Sequence, residues 1–61
     1  MNYNGIYIIG AGGHGQVIAD ILRKLHYPVK GFLDDKLTSK IMDIPIVGPI
    51  MFAKELEGRF V

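Results

Sequence analysis

The chain has 61 residues, 49% hydrophobic and 21% charged, so it holds one domain at most, with a core barely large enough to sustain itself. There is no cysteine, His14 and His26 form no zinc pattern, and seven Lys and Arg against six Asp and Glu give a net charge of +1 without a basic run, which excludes a disulfide scaffold, a metal staple and a nucleic-acid partner. The N-terminus lacks the basic region of a signal peptide and Ile6–Ile9 is too short to cross a bilayer, so the expectation is a cytoplasmic protein with no membrane partner.

Tyr3 to Ile9 ends in a nearly continuous apolar, β-prone run, the pattern of a strand buried on both faces of a parallel sheet. After the glycines, Val17, Ile18, Ile21, Leu22 and Leu25 recur at helical spacing, while Gln16, Asp20, Arg23 and Lys24 fall on the other side, which predicts an amphipathic helix over His14–Leu25. Pro28 stops it, because proline disfavours helical Tyr27 and has no amide hydrogen to donate. His26, at the end of that helix, reads as a partner of the helix dipole.

Val29–Leu33 is a second short apolar run, parallel to the first after a right-handed crossover. Lys36–Asp43 has little periodicity and reads as a surface loop. Ile44–Val47 predicts a short strand, which Pro45 confines to a sheet edge or a strand beginning. A second helix follows over Pro49–Leu56, with proline at its first position, Ile50, Ala53 and Leu56 facing inward and Gly58 near its end. Met42, Met51 and Phe52 read as packing residues, and Arg59–Val61 as the opening of another strand. The expected fold class is α/β: a Rossmann-like parallel sheet with a βαβ opening and a second helix, spanning residues 1–61 as the front piece of something longer. Such a sheet has unpaired edges through which the piece would self-associate.

Gly10-Ala11-Gly12-Gly13-His14-Gly15 carries the GxGxxG spacing directly after a strand and before a helix, with Asp34 and Asp35 at the tip of the next strand. The three glycines of the pattern do different things. Gly10 makes the tight turn, Gly12 lets the backbone approach a phosphate, and Gly15 lets the helix pack close to the strand. The helix N-terminus then offers free amides and a positive dipole end to an anion. Asp34 and Asp35 can accept hydrogen bonds from ribose hydroxyls or base NH groups, or serve only as a solvated turn after a strand. His14 can donate to a phosphate or sugar oxygen, or simply cover the helix end. The candidate binding residues are therefore Gly10, Gly12, Gly13, His14, Gly15, Asp34 and Asp35; no acid–base pair, nucleophile or metal cluster can be assembled, so the segment carries no catalytic residue.

The runs IYIIGAGGHGQVIADIL, VKGFLDDK and IPIVGP resemble the N-terminal domain of the bacterial sugar acyltransferases that act on sialic acid and bacillosamine precursors. The resemblance covers nearly the whole chain, with its departures in the Lys36–Asp43 loop. It implies a domain that binds a UDP- or CMP-linked sugar at the glycine turn and the aspartate pair. It also implies a second domain outside these residues, a left-handed β-helix that forms a homotrimer and binds acetyl-CoA, so that no cofactor belongs to this chain. The family's general-base histidine lies in that β-helix, which leaves His14 without that role. Two other readings are compatible with the residues alone: the opening of an NAD-dependent dehydrogenase, which the same fingerprint allows, and a non-enzymatic nucleotide-sensing module.

Overall fold

The computed structural model describes residues 5–61. Its elements in chain order are β1 (Ile6–Ile9), α1 (Gly13–Lys24), β2 (Val29–Leu33), β3 (Ile46–Gly48), a 3₁₀ segment (Ile50–Glu55) and β4 (Arg59–Phe60). The four strands form one all-parallel sheet in the order β3-β2-β1-β4, so β1 lies inside it, as its apolar run predicts, with β2 on one side and β4 on the other. The fold is α/β and Rossmann-like. Chain order reverses between β1 and β4.

The register explains the core. Ile8 pairs with Phe32 and Phe32 with Ile46, so these side chains share one face, where they meet Ala19 of α1 together with Ala11 and Ile44. Ile8, Phe32 and Leu33 are completely buried. Tyr7 points to the other face and stacks on Phe60 of β4, with ring centroids 5.5 Å apart.

Several expectations need correction. Ile6 is the first residue of β1; Tyr3 lies outside the described residues. The helix starts one residue early, at Gly13, and ends at Lys24 with Leu25 as its cap, before Pro28 can act. Its stop is made by His26, which adopts a left-handed φ of 63°; the His26 amide donates to the Arg23 carbonyl and the Tyr27 amide to the Leu22 carbonyl, both at 3.0 Å, the Schellman pattern with histidine where glycine is usual.

The apolar stripe of α1 divides. Gly15 and Ala19 are buried and Ile18 and Leu22 pack against the core, whereas Val17, Ile21 and Leu25 are more than half exposed. The small residues set the inner face, because only they let the helix axis approach the sheet closely.

Where the predicted loop Lys36–Asp43 meets the predicted strand Ile44–Val47, Ile41 and Ile44 instead exchange both backbone hydrogen bonds around Met42 and Asp43, which have φ of 56° and 62°, and the strand itself runs Ile46–Gly48. This tight two-residue turn buries Ile44. Pro45 precedes β3, an edge strand as expected. The expected second helix is instead a 3₁₀ segment with Pro49 as its N-cap; Ile50 and Met51 are exposed, Ala53 and Leu56 half-buried, and Phe52 lies against Gly48. Six residues give too few i→i−4 bonds to offset the cost of starting an α-helix, and the tighter turn suffices here.

Candidate functional site

The glycine turn, the strand tip Asp34-Asp35 and the Gly48-Pro49 corner follow the C-terminal ends of β1, β2 and β3, so a parallel sheet brings them to one edge. That edge, beside the point where strand order reverses, is where open α/β sheets bind their ligands.

Gly10 turns the chain out of β1 at φ 91°, a conformation other residues rarely adopt, and its amide donates to the Leu33 carbonyl at 2.6 Å. Gly15 is required for another reason: a Cβ there would lie 1.9 Å from the Gly10 carbonyl oxygen, so α1 could not pack where it does. Gly12 and Gly13 differ from both. A Cβ on either would meet nothing within 4 Å, and both residues are exposed. The space above the turn is open.

Gly12 is the N-cap of α1 and has no side chain to close it, and the first turn contains no acidic residue. The Gln16 amide, which donates to the Gly12 carbonyl at 2.9 Å, begins the helical ladder, so the amides of Gly13, His14 and Gly15 have no intrahelical acceptor. They coincide with the positive end of the helix dipole. The His14 side chain is exposed at this end. The Gln16 side chain folds back to donate to the Ala11 carbonyl at 3.2 Å.

The two aspartates are engaged differently. The Asp34 Oδ2 accepts from the Ala11 amide at 2.8 Å, and its Oδ1 accepts from the Lys36 amide at 2.8 Å and the Leu37 amide at 2.9 Å. These three amides, Ala11 foremost and then Leu37 and Lys36, hold the Asp34 carboxyl below its ordinary pKa, with the Lys36 charge adding to the effect. Asp35 accepts one hydrogen bond, from the Ile50 amide at 2.9 Å, and is exposed. Sequence reasoning found both residues but not these intramolecular partners. The Asx-type turn from Asp34 to Lys36 and Leu37 has a local signal, whereas the contact to Ala11 spans 23 residues and has none.

A cleft of about 350 Å³ lies elsewhere, between Ile6, Leu22, Tyr27, Arg59, Phe60 and Val61. Ile6 and Arg59 begin their strands, so it sits toward the opposite end of the sheet from the glycine turn, and its walls are mainly apolar. Among the described residues no group of three or more His, Asp or Glu could hold a metal ion, and no helix is long and apolar enough to cross a membrane.

This fold and this edge define a Rossmann-like α/β domain with a glycine turn between its first strand and its helix. The family model described as the PglD N-terminal domain matches residues 5–61, and the chain belongs to that family, the N-terminal domain of the PglD sugar acetyltransferases. No curated protein and no solved structure matches the chain.

Proposed function

We propose that this domain binds the nucleotide-linked sugar substrate of an acetyl-CoA-dependent sugar acetyltransferase, with the phosphates seated on the glycine turn. The observation that carries the reading is the uncapped start of α1 beneath open space: Gly12 and Gly13 leave room for phosphate oxygens, and the Gly13, His14 and Gly15 amides are donors without an intrahelical acceptor. Gly10 and Gly15 shape that turn. His14, exposed beside it, donates to a phosphate or sugar oxygen.

Asp34 and Asp35 stand at the tip of β2, where a carboxylate accepts from ribose hydroxyls or base NH groups and disfavours a further phosphate. The ligand in this reading is a UDP- or CMP-linked sugar of glycan biosynthesis, among them sialic acid precursors, met in the cytoplasm. Acetyl-CoA and the histidine that takes the proton belong to a separate, trimerising β-helix domain, so no transfer step is assigned to residues 5–61. The open edges at β3 and β4 are where the domain by itself would self-associate.

Calorimetric titration with a uridine-diphosphate sugar and with NAD tests the reading. The sugar nucleotide binds more tightly, removal of the contacting aspartate weakens it about ten- to a hundredfold, and Gly12→Val weakens it further by filling the phosphate space. Tighter binding of NAD, or no loss on removing both aspartates, would transfer the domain to the dehydrogenase reading.

A further inference from the structure

The adjacent aspartates of the β2 tip present very unequal acceptor capacity. A carboxylate has about four lone-pair positions. Asp34 has three occupied, all by backbone amides of its own chain, whereas Asp35 has one occupied, by the Ile50 amide. Asp34 is half-buried and Asp35 exposed.

The targets of Asp34 matter more than their number. Ala11 lies between Gly10 and Gly12, in a stretch whose glycines gain the most freedom when unfolded and cannot fix their own shape through side chains. The surrounding contacts supply that shape. The Gly10 amide is drawn to the Leu33 carbonyl, the Ala11 amide to the Asp34 Oδ2, and the Ala11 carbonyl receives the Gln16 side chain. These groups are satisfied on the protein side, and the donors left at the turn are the first amides of α1. At its other oxygen, Asp34 is held by the Lys36 and Leu37 amides, so the carboxylate ties the β1–α1 turn to the loop after β2.

From this geometry we infer that Asp34 is a positioning residue that fixes the glycine turn in its anion-facing form, and that discrimination between nucleotides falls to Asp35. The inference rests on the reading of the turn as a phosphate site and divides the work of the two aspartates within it. A carboxylate that acts only through the turn affects every ligand that uses the turn, whatever base the ligand carries. A carboxylate that touches the nucleoside affects one base more than another.

UDP and ADP, which share a diphosphate and differ in base, separate the two roles in titrations of the whole chain. Asp34→Asn puts an amide group where one carboxylate oxygen was, and it lowers the affinity for UDP and ADP by the same factor, about tenfold, leaving their ratio unchanged. Asp35→Asn changes the ratio. A ratio altered by Asp34→Asn but not by Asp35→Asn overturns the inference, as does an Asp34→Asn chain that binds both nucleotides as tightly as before.

Amide hydrogen exchange on the unsubstituted chain without nucleotide supplies a readout that needs neither a ligand nor a folded variant. The Ala11 amide exchanges far more slowly than those of Gly13 and His14; equal rates overturn the inference. In folded Asp34→Asn, protection is lost at Ala11 while Ile8 and Phe32 keep theirs, which separates loosening of the turn from loss of the fold. Should the unsubstituted chain bind neither nucleotide, the phosphate-site reading falls, and the clamp on Ala11 is still judged by exchange.

Discussion

The two halves of this chain are held in different ways. Residues 5–35 form a βαβ unit whose strands are central to the sheet and which contains Ile8, Ala11, Ala19, Phe32 and Leu33, all completely buried. Residues 36–61 contribute an edge strand, a two-residue pairing at the other edge and a 3₁₀ segment with no buried residue; Ile44 is their one buried core residue, with Ile41, Met42 and Ile46 half-buried against it. The first half is held chiefly by apolar burial, and the second adds to a few apolar contacts a set of backbone hydrogen bonds to the first, such as Phe32 to Pro45, Asp34 to Gly48 and Val61 to Tyr7. Disturbing the first half should therefore unfold the domain, whereas disturbing the second should mainly loosen it locally.

The largest expected effect is at Gly15. The Ala substitution drives a Cβ into the backbone of Gly10, where no rotamer offers relief, and costs more than about 4 kcal/mol. A chain of this size has only about 3–5 kcal/mol in total, so circular dichroism at 25 °C should show an unfolded protein. Phe32→Ala follows at about 3–5 kcal/mol, through the lost burial and the cavity left between Ile8, Ile44 and Ala19. A cooperative melt near that of the unsubstituted chain in either variant would refute a core centred on the βαβ unit.

A smaller effect depends on pH. The Asp34 carboxyl has a lowered pKa in the folded state, so the stability it contributes is fully present above its unfolded value of about 3.8 and is lost as pH falls through the lower folded value. Melting temperatures of the unsubstituted chain and of Asp34→Asn should differ at neutral pH and converge in acid below that window. A difference that persists unchanged there would show that the carboxylate charge is not what binds the loops together. The smallest effect is expected on the outer stripe of α1 and in the 3₁₀ segment: Ile21→Gln and Met51→Ala each shift stability by no more than about 0.5 kcal/mol in chemical denaturation, because both side chains already face solvent. A larger loss from Met51→Ala would mean that the 3₁₀ segment contributes to the core after all.

The candidate site was legible to the extent that its signals were local. The spacing of Gly10, Gly12 and Gly15 between a strand pattern and a helix pattern places the turn, and the Asp34-Asp35 pair marks the strand tip. Legibility ended where contacts became distant. Asp34 reaches Ala11 only because parallel pairing of β1 with β2 brings their C-terminal ends together. The Ile41–Ile44 turn was missed because it places Met42 and Asp43 at positive φ, where Asn-Gly or Asp-Gly would have announced it.

The sequence by itself determined the βαβ unit, the bounds of β2 between Pro28 and Asp34, the choice of sheet edge or strand beginning that Pro45 leaves open, and the glycine turn, because each follows from period, breakers and the steric range of single residues. Only the tertiary structure decided which side of α1 faces the sheet. Periodicity gives the width of an apolar stripe, but the choice of Gly15 and Ala19 over Val17 and Ile21 depends on how closely two elements can approach. It also decided that the segment after Pro49 tightens into 3₁₀ form, and that one of two adjacent, chemically identical aspartates is consumed by the fold while the other keeps most of its acceptor capacity. Neighbours in sequence share composition and local propensity, and they differ only in what the folded chain brings against them.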